Sequence, residues 1–166
     1  MSTENRLAPP HLIGTPTYYQ WRHDNFPSRN PNATPPDYYL NYGYKYAQKF
    51  QNETNQKLSP QGQKWTGEVM TNLQILLENR LSQSDGAEFE QNEQALKNFA
   101  FATHIEAYWN ENGTTPLYLL TVTDLFRILF TPSFCDLVSG KGLLQIVMVI
   151  GRFVKKFCSY PAATQN

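Results

Sequence analysis

Charged side chains are scarce in this sequence. Asp, Glu, Lys and Arg make up 17% of its 166 residues, where globular chains average roughly 25%. Fourteen basic and fourteen acidic residues cancel to zero net charge. Such a chain has no overall field to steer it onto a phosphate backbone, so no nucleic-acid partner is expected. Low charge also weakens repulsion between molecules, which favours a protein partner or self-association.

Cysteine is nearly absent too. Cys135 and Cys158 are the two in the chain, and they pair only if the fold brings their Cα atoms within about 7 Å. Without a secretory pattern they read as reduced core residues. No Cys or His spacing suited to a metal accompanies them, so neither metal nor cofactor is expected. The opening "MSTENRLAPPHLIG" lacks a positive segment followed by an apolar run, and the expectation is a cytoplasmic protein, with export by a signal-independent route left open. Asn32, Asn52 and Asn112 each start an Asn-x-Thr triplet; in so Asn-rich a chain they read as chance matches. The most apolar stretch, "LLQIVMVIG", rises only about 14 Å as a helix, too little to span roughly 30 Å of hydrocarbon.

Catalytic grammar is missing as well. There is no G-x-S-x-G elbow, no phosphate-cradling loop and no G-x-G-x-x-G. Gly140-Lys141-Gly142 reads as the turn opening the last helix. His11 and His23 sit in a proline-rich segment with no metal spacing. His104 is the best catalytic candidate, lying among Phe99, Phe101, Tyr108 and Trp109. A working acid or base needs a tuned pKa, a partner and a cleft. Glu106, two residues on, points about 200° away on a helix and cannot orient His104. The bland alternative is a half-buried histidine satisfied by a backbone carbonyl or by Tyr108. The reading therefore leans away from an enzyme.

What the chain does have is proline early and helical periodicity later. Seven of eleven prolines fall within residues 1–36, where lost amide donors argue against regular helix. That stretch also carries Tyr18, Tyr19, Trp21 and Phe26. Rigid aromatics of this kind give much contact area at little entropy cost. The expectation is an extended arm over 1–36 that packs on its own helices or docks on a partner through those four residues.

Residues 37–160 read as a helical domain, with 161–166 a tail. Asp37 is a candidate cap for a helix over 37–52, with Tyr39, Tyr42, Tyr46 and Phe50 on one face and Gly43 weakening it. Ser59 and Pro60 open a helix over 60–83 with a stripe of Trp65, Val69, Leu73, Leu76, Leu77 and Leu81. A third helix runs from about 90 to 108 with Leu96, Phe99, Ala100, Thr103 and Ala107 inward. Thr121 and Asp124 have the spacing of a capping box. A short strand over 117–122 is the one β-prone alternative. The last helix spans 141–157, and its basic end suits either a buried bundle helix or a membrane surface. The fold class is all-α, a compact bundle of about five helices.

Three functions follow in order. The first is a non-enzymatic interaction module or accessory subunit that docks through its N-terminal arm. The second is a small hydrolytic or toxic effector with a site near His104. The third is membrane-surface binding through 141–157.

Overall fold

The computed structural model describes residues 7–111 and 113–129. Cys135, Cys158, the expected helix 141–157 and the 161–166 tail lie outside them. Among the described residues there are helices and turns and no strand. The architecture is all-α. The β-prone stretch contains a 3-10 turn, Leu117–Leu119, not a strand. No helix among the described residues is long and apolar enough to cross a membrane.

Prolines early in the chain start helices rather than prevent them. Helix α1 is Thr17–Asp24, with Pro16 at its N-cap. The single turn α2 is Phe26–Arg29, with Pro27 in its first two positions. The first amides of a helix have no intrahelical acceptor, so a proline there gives up nothing. The extended path expected for 1–36 is therefore corrected over 17–29. Gly14, at φ 87°, turns the chain into α1.

Residues 38–54 wind as a composite. A π-helical segment, Tyr38–Tyr44, leads into α3 (Lys45–Lys49) and then a second π segment, Phe50–Thr54. Long π segments are rare. Gly43 shows what holds this one: a Cβ there would overlap the Tyr19 ring of α1, so the wide turn lies flush against that ring. Asp37 makes no side-chain cap; its amide donates to Glu93 Oε2 at 2.8 Å.

The long helix α4 spans Pro60–Leu81, its Gly62 amide donating to Ser59 Oγ at 3.1 Å as Ser-Pro predicts. After α5 (Gly86–Gln91), helix α6 runs Glu93–Trp109 and ends on Asn110 in the left-handed region. Helix α7 is Val122–Leu129. Asp124 caps it only in part. Its amide donates to Thr121 Oγ1 at 3.1 Å, but its carboxylate takes the Ser59 amide (2.9 Å) and hydroxyl (2.5 Å). One aspartate thus ties the starts of α4 and α7 together. Burial alone would raise its pKa, and the bonds from Ser59 and Thr121 outweigh that and lower it.

Two apolar clusters form the interior. The first gathers Tyr18, Tyr19, Phe26, Tyr38, Tyr39, Leu77, Leu81, Phe89, Leu96 and Ala100, among others. The second gathers Leu58, Trp65, Val69, Ala107, Tyr108, Trp109, Leu117, Leu120 and Ile128. Helices α4 and α6 run through both.

Candidate functional site

A recess opens where the two clusters meet. Its walls are Tyr19 from α1, one side of the composite segment from Tyr38, Tyr42 and Tyr46 to Phe50, the α4 face of Trp65, Val69 and Leu73, and Phe101, His104 and Tyr108 of α6. Its cavity volume is about 80 Å³, within a concavity of about 720 Å³ that opens to solvent. A water needs on the order of 10–15 Å³ by that measure, so there is room for more than solvent alone. Ala47 and Thr66 are the smallest side chains of this wall. Among the described residues, no carboxylate, ammonium or guanidinium lines it.

Aromatic rings make up most of the wall, and they brace one another in edge-on and tilted pairs. Tyr42 meets Phe101 at 6.2 Å and 90°. Trp65 meets Tyr108 at 5.5 Å and 67°. His104 lies between Phe101 (6.1 Å, 39°) and Tyr108 (5.4 Å, 62°). Edge-to-face pairs at these separations add roughly 0.5–1.5 kcal/mol beyond area burial. The Trp65 indole donates to the Tyr108 carbonyl at 3.1 Å, which fixes its plane. Burial raises the Tyr108 phenol. Burial likewise pushes Tyr19 up to about 12, against hydrogen bonds with Tyr38 and Gln74.

His104 is half-buried, and its Nδ1 pairs with the Ala100 carbonyl one turn back. A carbonyl only accepts, so Nδ1 carries the hydrogen and Nε2 the lone pair. Burial holds the ring's pKa below the ordinary histidine value, though the Ala100 bond acts the other way. The imidazole is neutral at physiological pH.

Both carboxylates that α4 offers from its mid and C-terminal turns are occupied elsewhere. Glu68 accepts from Asn110 (2.6 Å), the Thr115 amide (3.1 Å) and the Thr114 hydroxyl, holding the loop after α6. Glu78 accepts from Tyr18 (2.6 Å), the Ala8 amide (2.9 Å) and Arg22. Neither borders the recess. No group of three or more His, Cys, Asp or Glu suited to a metal occurs among the described residues.

Of the four N-terminal aromatics, Tyr18, Tyr19 and Phe26 are at 0%, 5% and 0% exposure. They pack into this chain's own first cluster and present no outward surface. Trp21 alone is half-buried, under the guanidinium of Arg29 at 5.0 Å.

A buried ionic knot, invisible to sequence patterning, joins that segment to the rest. Glu90, 1% exposed, accepts from Arg29 (2.8 Å), Tyr39 (2.8 Å) and Asn30 (3.2 Å), with Arg22 at 3.6 Å. Buried Gln74 is a second such group. Its amide oxygen takes the Gly14 amide at 2.6 Å, and its nitrogen donates to the Thr15 carbonyl at 2.8 Å. Charged and amide side chains read as surface by default. The weak signal available was a polar residue at position 74 inside the apolar run of α4.

No family model matches this chain, and no curated protein or solved structure matches it either.

Proposed function

We propose that this chain is a non-enzymatic helical recognition module, an accessory component that works by holding an apolar group in the aromatic recess. The observation that supports it is the wall itself. It is concave, mostly aromatic and, among the described residues, without a charged group, the character of a site that binds by apolar contact with a few orienting polar atoms. Hydrolysis at His104 has less behind it. Nδ1 is committed to Ala100, and no carboxylate among the described residues lies at the recess to orient the ring or share a proton. Docking through the N-terminal aromatics is narrowed to Trp21, the one member of the set with surface to give.

The test is thermal denaturation against a panel of small neutral aromatic and aliphatic compounds. A ligand at a hundred times its Kd stabilises by about 2.7 kcal/mol, a rise of several degrees in Tm. Ala47→Phe, which fills the recess from the composite segment, keeps its own cooperative transition and loses the response. No rise with any member of the panel removes the proposal.

A further inference from the structure

One side chain of the wall, His104, distinguishes the recess from a plain greasy hollow. The Nδ1 hydrogen of His104 is bound to the Ala100 carbonyl of its own helix. The opposite edge of the ring therefore presents Nε2 as an acceptor, and no hydrogen bond to Nε2 comes from any described residue. His104 is part of the recess wall, tilted against Phe101 and edge-on to Tyr108.

Around that acceptor the wall is concave and mostly aromatic, with no charged group among the described residues. A cavity of roughly 150 Å³ is enough to hold benzene. The 80 Å³ here is about half of that and opens into the larger concavity, so a ring enters in part and keeps an edge toward solvent. A buried cation would need a counter-charge, and the described residues of the wall supply none. A neutral ring needs only apolar contact, and a single donor on it would satisfy Nε2.

We propose that the recess takes a small neutral aromatic group bearing one hydrogen-bond donor, of the phenol or indole kind, with its ring among Tyr42, Trp65, Phe101 and Tyr108 and its donor on His104 Nε2. This rests on the recess being the recognition element, and it adds which chemistry is selected. A free small molecule and a tyrosine or tryptophan side chain of a partner polypeptide share that chemistry.

The experiment titrates the full chain by calorimetry with p-cresol, 3-methylindole, toluene, tetramethylammonium, N-acetyltyrosinamide and N-acetyltryptophanamide. The p-cresol/toluene ratio is the primary readout, since the two differ by one hydroxyl. One neutral hydrogen bond is expected to favour p-cresol about fivefold to tenfold. In His104→Phe that preference collapses toward unity while toluene binding is kept. Should His104→Phe fail to unfold cooperatively, the ratio on the unaltered protein decides by itself. Equal binding of p-cresol and toluene overturns the donor assignment and leaves the recess as recognition element. Tighter binding of tetramethylammonium than of any neutral ring overturns the ligand class. Silence from all six compounds overturns both this inference and the function it rests on. The amides then separate the sources. Binding as tight as that of p-cresol and 3-methylindole assigns a partner's side chain, and binding of the free rings alone assigns a small molecule; either upholds the shared chemistry.

Discussion

Glu90 gathers four buried polar side chains, Arg22, Arg29, Asn30 and Tyr39, at one carboxylate. Its carboxylate stands at 1% exposure between two guanidinium groups and the Tyr39 phenol. Burial by itself would raise its pKa. The hydrogen bond and charge of Arg29, the charge of Arg22 and the Tyr39 hydroxyl outweigh that, and the carboxyl sits below the ordinary glutamate value. A carboxyl depressed in the folded state contributes stability that is present above its unfolded pKa, about 4.3. That stability is lost as pH falls through the lower folded value. Urea midpoints should thus hold steady near neutrality and decline below about pH 4. Glu90→Gln removes the charge between Arg22 and Arg29 and leaves two cations buried together. Breaking a buried pair from one side costs about 3–5 kcal/mol; the retained amide oxygen of Gln places this change toward the lower end. The midpoint should drop at an unchanged urea slope, with a shallower dependence on acid pH than in the parent. An unaltered acid limb would move the burden to Asp124 and Glu68, whose carboxyls are also depressed.

At the scale of elements, local chemistry was readable and tertiary demand was not. Ser59-Pro60 and the stripe from Trp65 to Leu81 placed α4 within two residues at its C-terminal end, because cap and periodicity are local properties. The inward face of α6 was equally legible: Leu96, Ala100 and Ala107 are buried. The π winding of Tyr38–Tyr44 was not, since it reflects the fit of Gly43 on a ring from another helix. Nor was the recess, which is a gap between clusters and has no sequence period. Helix α1 escaped because proline was weighed as a breaker, whereas Pro16 and Pro27 bracket Thr17–Asp24. Its burial makes the N-terminal segment part of the fold. Deleting residues 1–29 would remove Tyr18, Tyr19 and Phe26 from the first cluster. It would also strip Glu78 and Glu90 of Arg22 and Arg29. The shortened chain is expected to lose its cooperative thermal transition by circular dichroism. A clean transition within a few degrees of the parent would return residues 1–29 to the status of a docking arm.

Over the whole molecule, two clusters share two helices. The C-terminal half of α4 gives Leu77 and Leu81 to the first cluster, and its N-terminal half gives Trp65 and Val69 to the second. Helix α6 runs the other way, with Leu96 and Ala100 in the first and Ala107 to Trp109 in the second. Neither cluster can come apart without releasing half of each helix, and a partly unwound helix exposes unpaired amides and carbonyls. The recess at the seam weakens contact between the clusters, but the backbone continuity of α4 and α6 is expected to prevail. The two should unfold as one. Leu96 tests this because it is fully buried in the first cluster, while two of the three tryptophans, Trp65 and Trp109, report on the second. Leu96→Ala removes buried methyl groups and leaves a cavity, a loss of about 2–5 kcal/mol. Under one cooperative unit, tryptophan fluorescence and far-ultraviolet circular dichroism should give coincident urea transitions, both displaced by the same amount. A fluorescence transition that stays put while the dichroism transition moves would mean two lobes folding separately. In that case a ligand seated in the recess should bring the two curves back together, because it gains contacts only when both walls stand.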